Sequence, residues 1–255
     1  MNQVKQLITA NPTFQKPKPN IVNFLNVSEF FCDTIQGEGI NTGCPATFLR
    51  LQDCTLNCIW CDTRSVWRHG NPYTFDQLFE LMEKFDLPTK FKEGQHLVLT
   101  GGSPLKQQEK LLKFLQKLIR KYKIIPIIEI ENECVIEPLP ELIDFVSTWN
   151  NSPKLKNSGN PLHRMYNPTV ISFMSKLRRS WFKFVVRNDE DWNEIKGMFL
   201  VPNLIQREQI ILMPEGANRE RLISNTEKVV EIAIRENVRY CTREHIMLWD
   251  QATGV

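Results

Sequence analysis

The sequence predicts an α/β fold in which parallel strands are joined by helices. Three observations carry that reading. Short apolar runs recur along the chain, in "ATFLRL", "HLVLTGG", "IIPIIEIE" and "WFKFVV". Segments with helical periodicity lie between them. The first three runs each lead into a stretch of unusual composition: a cysteine segment, the pair Gly101-Gly102, and Glu131-Asn132. Strands alternating with helices imply βα units, either doubly wound or arranged as a barrel. Such folds carry their chemistry in the loops at the carboxyl ends of the strands.

The elements follow in order. The first 22 residues are polar, contain two Lys-Pro pairs and read as a loosely held arm, leaving residues 23–255 as one domain. Ala46–Leu51 is the first strand and delivers the chain into the cysteines. Thr74-Phe75-Asp76-Gln77 has the form of a capping box and opens a helix running to about Phe85. "HLVLTGG" is a buried strand ending in a glycine turn. From Gln107 to about Tyr122, Leu111, Leu115, Leu118, Ile119 and Tyr122 share one face, giving an amphipathic helix. "IIPIIEIE" is a strand, and a helix runs from roughly Pro140 to Val146. "WFKFVV" is a strand, Glu190–Phe199 a helix, Gln209–Met213 a strand and Arg219–Glu236 a long helix. His245–Trp249 reads as a final strand. Ser152 to Ser180 has no clear periodicity, and an unstructured stretch of that length reads as a binding loop or a disordered one.

Composition removes several classes of function. A net charge of +3 is too small to argue for a nucleic-acid or membrane partner. No apolar run approaches the roughly 20 residues that cross a bilayer, and the N-terminus has no signal-type apolar region. Seven cysteines do not suit a fully paired disulfide framework. Reduced thiols in a cytoplasmic protein are the expectation.

The segment "LQDCTLNCIWCDT" collects Cys54, Cys58 and Cys61. Three thiols so close suit zinc, an iron–sulfur cluster, or simple burial in a core. A closed zinc site needs four ligands. Cys32, Cys44, Cys134 and Cys241 stand alone, although His69 is within reach of the segment. A cubane normally takes four thiolates; with three, one iron keeps an open position for a small molecule.

Cys-x-x-x-Cys-x-x-Cys after a first strand, with Trp60 before the third cysteine and the glycine turn "LTGGSPL" further on, resembles the radical S-adenosylmethionine superfamily. Longer blocks narrow the likeness. "DTIQGEGINTGCPATFLRLQDCTLNCIWCDT", "TGGSPL", "EIENE", "NNSPKLKNSG", "FKFVV", "LMPEG" and "REHIMLWDQATGV" resemble, in the same order, the 7-carboxy-7-deazaguanine synthase family from about Glu29 onward.

The resemblance implies a partial (β/α) barrel of the radical S-adenosylmethionine type, with a long irregular insertion near residues 152–180. It implies a [4Fe–4S] cluster on Cys54, Cys58 and Cys61, its open iron chelated by the amine and carboxylate of S-adenosylmethionine. The implied reaction is a radical ring contraction of 6-carboxy-5,6,7,8-tetrahydropterin to 7-carboxy-7-deazaguanine. Ammonia is released, as by a carbon–nitrogen lyase, on the route to queuosine and other deazapurines.

Arg50 suits a carboxylate, onto which its guanidinium can fork, while Gln36 and Glu38 suit the donor and acceptor edge of a pterin. By the resemblance Gln36, Glu38, Arg50, Thr100, His245 and the terminal carboxylate of Val255 surround the substrate. Gly101, Gly102 and Ser103 then meet the methionine amine, Glu131 and Asn132 the ribose side, and Ser152 and Lys154 a further cofactor contact. Thr63 is implied as a ligand of Mg2+, which prefers oxygen donors. A homodimer and an external electron donor complete the implied partners.

The chain departs from the family pattern twice. Ser103 stands where the family has a glutamate after the glycine pair, which takes a carboxylate out of the methionine pocket. Glu131-Asn132-Glu133-Cys134 stands in place of Glu-Thr-Asn-Gly. Two rival readings remain at this level: another small radical enzyme, such as a glycyl-radical activase acting on a protein, or a zinc-stapled binding module without catalysis.

Overall fold

The computed structural model describes residues 4–10 and 23–254. Ten strands form one sheet: β1 (Lys5–Thr9), β2 (Phe24–Ile35), β3 (Pro45–Leu51), β4 (Asn71–Thr74), β5 (His96–Gly101), β6 (Ile127–Asn132), β7 (Thr148–Asn151), β8 (Ser180–Val186), β9 (Ile210–Pro214) and β10 (Arg239–Tyr240). Their order is β1-β2-β3-β5-β6-β7-β8-β9-β10, with β4 paired to β2. From β3 to β10 every neighbouring pair is parallel, while β1, β3 and β4 pair with β2 antiparallel. The alternating pattern predicts the parallel βα sheet, and the open, partial (β/α) barrel is the form that the resemblance implies.

The crossover helices bury apolar stripes against the sheet. In helix Gln108–Tyr122 those residues are Leu111, Phe114, Leu115 and Leu118. Phe79 from the preceding helix Phe75–Lys84 stacks on Phe114, ring centroids 5.4 Å apart. The capping box at that helix forms as expected: Gln77 N–H donates to Thr74 Oγ1 at 3.2 Å, and Thr74 N–H to Gln77 Oε1 at 2.9 Å. Parallel strands covered on both faces read as continuous apolar runs, and β5 is buried along nearly its whole length. Among the described residues no helix is long and apolar enough to cross a membrane.

Several elements differ from the sequence reading. Lys5–Thr9, inside the stretch expected to be a loose arm, is an edge strand on β2 with Ile8 buried. His245–Trp249, expected as a strand, belongs to the helix Glu244–Trp249. A five-residue apolar run cannot distinguish a strand from a turn and a half of helix by periodicity. β7 is buried on all four residues and β2 without a break from Val27 to Cys32, so neither shows a clean alternation to reveal it. The stretch 152–180 contains the helix Pro168–Ser175, started by Asn167, whose Oδ1 accepts from Val170 N–H. Its eight residues are too apolar to show a polar face.

Candidate active site

One cavity of about 370 Å³ opens at the carboxyl ends of the parallel strands. β3 leads into the cysteines, β5 into Gly101-Gly102, β6 into Glu131–Glu133 and β7 into Ser152, and all these segments line it. β8 contributes Lys183 and Val185, and the C-terminal helix brings His245 from the other side. The topology therefore gathers residues spread over two hundred positions of sequence into a single mouth.

Cys54, Cys58 and Cys61 are free thiols on that wall. Each sulfur has a hydrogen-bond donor. Leu56 N–H donates to Cys54 Sγ at 3.4 Å, Asn160 Nδ2–H to Cys58 Sγ at 3.2 Å, and Trp67 Nε1–H to Cys61 Sγ at 3.4 Å. Burial pushes the Cys54 and Cys58 thiols up as they stand, against the Leu56 N–H at Cys54 and against the Lys154 charge and the Asn160 amide at Cys58. Such donors become more favourable once the sulfurs carry negative charge as ligands, and they tune a cluster's potential. Among the described residues no three His, Cys, Asp or Glu side chains gather tightly enough for a single metal ion. A cubane asks less of the protein, since each thiolate binds a different iron. The donor set therefore fits a cluster.

The irregular segment after β7 clamps the cysteine loop. Ile59 N–H donates to Ser158 O at 2.9 Å, Asn57 N–H to Asn160 Oδ1 at 2.9 Å, and Trp60 Nε1–H to Asn157 Oδ1 at 3.1 Å. Arg164 adds a bond to Thr55 O at 2.9 Å. "NNSPKLKNSG" is thus a brace for the thiols as well as a wall of the cavity.

The glycine turn has a packing role. A Cβ on Gly102 would lie 2.3 Å from Asp53 O, and one on Gly101, whose φ is +152°, would lie 2.3 Å from Leu51 O. These positions lack side chains first because the cysteine loop passes against them. Both also line the cavity.

The far wall is an ion-paired network. Lys183, only 4% exposed, donates to Glu38 Oε2 at 2.6 Å and Glu131 Oε2 at 2.5 Å. Arg243 binds Glu38 Oε1 at 2.9 Å, Asp62 Oδ2 at 2.6 Å and Gly216 O at 2.8 Å. Burial alone would raise the Glu38 carboxyl; Lys183, Arg243 and His245 outweigh it and hold Glu38 well below the usual carboxylate range. Glu131 goes the other way, raised by burial and by the neighbouring Glu38 and Glu129, with Lys183 only partly opposing them. Lys183 is held up by both carboxylates despite its burial.

The expected site residues take distinct places. Gln36 is buried and its amide is engaged: Nε2 donates to Glu129 at 3.2 Å and Glu131 at 3.3 Å, and Oε1 accepts from Glu38 N–H at 3.3 Å. It braces the carboxylates and has little left to read a ligand edge. Glu129 is fully buried against His96 and Asn150, while Glu131 reaches the cavity, which settles which of the two faces it. Arg50 donates through Nε to the buried Glu29 at 2.9 Å, and its other N–H groups have no protein partner among the described residues. Thr100, beside Arg50 in register, also lines the mouth, and its hydroxyl has no protein partner among the described residues.

Asn132 bonds Asn151 Oδ1 at 3.1 Å and accepts from Cys134 N–H at 2.9 Å. That turn holds Cys134 at φ +61°, a conformation that explains why the family pattern has glycine there. Lys154 donates to Ser152 Oγ at 2.7 Å and sits over the Trp60 ring. The Thr63 hydroxyl makes no cap bond and lies 3.8 Å from Cys61 Sγ. His245, 28% exposed, has Nε2 3.6 Å from Asp62 and 3.9 Å from Glu38. Its approach depends on Gly37, where a Cβ would meet Nδ1 at 2.4 Å. Val255 lies outside the described residues.

Sequence reasoning missed Lys183, Arg243, Asp62 and Glu133. A lysine inside the apolar run "WFKFVV" was the available signal, because a buried strand keeps a charge only when it is paired.

Residues 35–130 match the family model of a 4Fe-4S single cluster domain. The chain is 34% identical over 230 residues to 7-carboxy-7-deazaguanine synthase of Pyrobaculum aerophilum, an alignment covering 90% of this chain and 97% of that protein. It is 37% identical over 214 residues to the 7-carboxy-7-deazaguanine synthase of Buchnera aphidicola, covering 77% and 87%. Among solved structures, QueE from Escherichia coli shares the fold, with a TM-score of 0.63 at 23% identity over 87% of this chain and 95% of that one. With its thiols, glycine turn and paired carboxylates at one strand-end cavity, this chain belongs to the 7-carboxy-7-deazaguanine synthase family.

Proposed function

We propose that the chain is an active 7-carboxy-7-deazaguanine synthase, a lyase that contracts 6-carboxy-5,6,7,8-tetrahydropterin to 7-carboxy-7-deazaguanine and releases ammonia for deazapurine biosynthesis. The observation that carries this reading is one cavity with two chemically different walls. One wall bears three free thiols, each with a donor on its sulfur. The other bears Glu38 fixed by two cations, next to Arg50 with N–H groups to spare.

Cys54, Cys58 and Cys61 would hold the [4Fe–4S] cluster, with S-adenosylmethionine against Gly101, Gly102, Ser103, Glu131, Asn132, Ser152 and Lys154. When bound and reduced by one electron from an external donor, this pair supplies a 5′-deoxyadenosyl radical able to abstract a substrate hydrogen. The protein's own part is placement and exclusion of water. Arg50 receives the substrate carboxylate, with Glu29 keeping the guanidinium in one orientation. Glu38, held ionised by Lys183 and Arg243, accepts N–H groups of the amino-pyrimidinone edge. Thr100 offers a hydroxyl, and His245 an imidazole N–H at the same mouth. Gln36 acts through Glu131 and Glu129. The Thr63 hydroxyl, free of capping duty, is the oxygen we assign to Mg2+. A homodimer and a cytoplasmic location complete the reading. Seven free cysteines suit a reducing compartment.

The test is anaerobic reconstitution with iron and sulfide, followed by incubation with the tetrahydropterin, S-adenosylmethionine and a reductant. A product with the mass of 7-carboxy-7-deazaguanine and stoichiometric ammonia is expected. A holo-protein that cleaves S-adenosylmethionine but leaves the pterin unchanged contradicts the substrate assignment and returns the glycyl-radical activase to favour.

A further inference from the structure

The run "EIENE" places Glu129, Glu131 and Glu133 at alternate positions, so the three carboxylates follow one side of β6 and its extension. They climb toward the cavity with different partners. Glu129 meets His96 at 2.5 Å, and Glu131 meets Lys183 at 2.5 Å. Glu133 has no cation within ion-pair distance among the described residues. Its Oε1 accepts from Ser103 Oγ at 2.7 Å and from Thr55 Oγ1 at 2.6 Å, and Oε2 has no protein donor among the described residues. Only 5% of the residue is exposed, and what is open faces the cavity.

Hydroxyls alone compensate a buried carboxylate poorly. They do orient it. Thr55 N–H donates to Ser103 Oγ at 3.0 Å, so the serine proton is free for Glu133. The same Ser103 hydroxyl lies 3.5 Å from Cys54 Sγ, which puts the carboxylate beside the thiol wall. A group that brings N–H donors and positive charge would complete this site.

The resemblance implies a glutamate at the position of Ser103, and here the Ser103 hydroxyl bonds a glutamate arriving from the next strand. We propose that Glu133 supplies the carboxylate that binds the amino group of S-adenosylmethionine, with Ser103 and Thr55 orienting it. The carboxylate would then come from the end of β6, held against the β5 turn by Ser103. This assignment rests on the functional reading above, in which S-adenosylmethionine sits at the open iron.

The test uses the reconstituted holo-protein and measures binding, not turnover. Equilibrium dialysis compares S-adenosylmethionine with its analogue lacking the amino group, and the paramagnetic spectrum of the reduced cluster reports occupancy. Glu133→Gln should keep its iron and sulfide content and bind S-adenosylmethionine at least about tenfold more weakly. Its affinity for the analogue should be unchanged. The exchange S103E/E133S, which returns the carboxylate to the glycine turn, should recover most of the loss. Wild-type affinity in Glu133→Gln, or equal losses for both ligands, overturns the assignment. Loss of the cluster in both variants also overturns it, making Glu133 a structural residue. A wild-type holo-protein that binds no S-adenosylmethionine overturns the functional reading itself, a result distinguishable from the others because it precedes any substitution.

Discussion

Glu38 and Glu133 are carboxylates on the same cavity, the first half-buried and the second buried, and they are held in opposite ways. Glu38 sits between Lys183 and Arg243 and is ionised by cations built into the fold. Glu133 has two hydroxyls and, among the described residues, no cation within ion-pair distance. One wall is electrostatically complete before any ligand arrives, while the other leaves charge for a ligand to balance. A preorganised wall suits a substrate that must be held in one orientation. An under-compensated wall suits a cofactor that brings its own ammonium.

The comparison can be broken or sharpened in several ways. The largest effect concerns the thiols: alanine at Cys54, Cys58 or Cys61 should abolish the visible absorption of the reconstituted cluster together with turnover. Full iron content in any one of the three would remove that cysteine from the ligand set.

Lys183→Met attacks the completed wall. It leaves Glu38 and Glu131 without their shared cation, and denaturant unfolding at neutral pH should show a loss of about 3–5 kcal/mol. The deficit should shrink as pH falls, because stranded carboxylates take up protons in the folded state. In the unaltered protein the signs differ between the two acids. The folded Glu38 carboxyl is depressed, so its contribution is full above the ordinary carboxylate range, declines as pH falls through that range, and is gone below the depressed folded value. Glu131 is raised, so its ionisation with rising pH works against the fold. A Lys183→Met deficit independent of pH would contradict the network as described.

Arg50→Lys should raise the Michaelis constant for the pterin about tenfold, with a smaller change in kcat, because an ammonium cannot bind Glu29 and a ligand carboxylate in the same fork. Asn160→Ala removes the N–H donor on Cys58. It should lower the cluster's reduction potential by on the order of tens of millivolts, since the donor favours the more negative reduced state. The smallest effect belongs to the incomplete wall. Without ligand, Glu133→Gln should change folding stability by less than about 1 kcal/mol, because it removes a charge that lacks a counter-ion.

Much of this was legible in the sequence where local rules dominate. The capping box at Thr74, the apolar stripe of Gln108–Tyr122 and the strands ending at the cysteines and at Gly101 follow from period and composition. β7 was not legible, because Asn150 and Asn151 look like loop residues until Glu129 and Ser180 satisfy them. The helix at His245 was too short to declare its period. Among site residues, the thiols and glycine turn announce themselves, because their chemistry needs adjacency in sequence. Lys183, Arg243 and Asp62 act only through partners brought by other strands, with Arg243 separated from Glu38 by 205 positions. Pairings at that range are set by topology, which no short motif contains.

The account depends on an iron position that no protein side chain fills. Its most direct measurement is the paramagnetic spectrum of the reduced, reconstituted protein recorded with and without S-adenosylmethionine. The account predicts a [4Fe–4S] signal whose g-values shift when the nucleotide is added. A cluster signal indifferent to saturating nucleotide, or a metal content of zinc without labile sulfide, would contradict it.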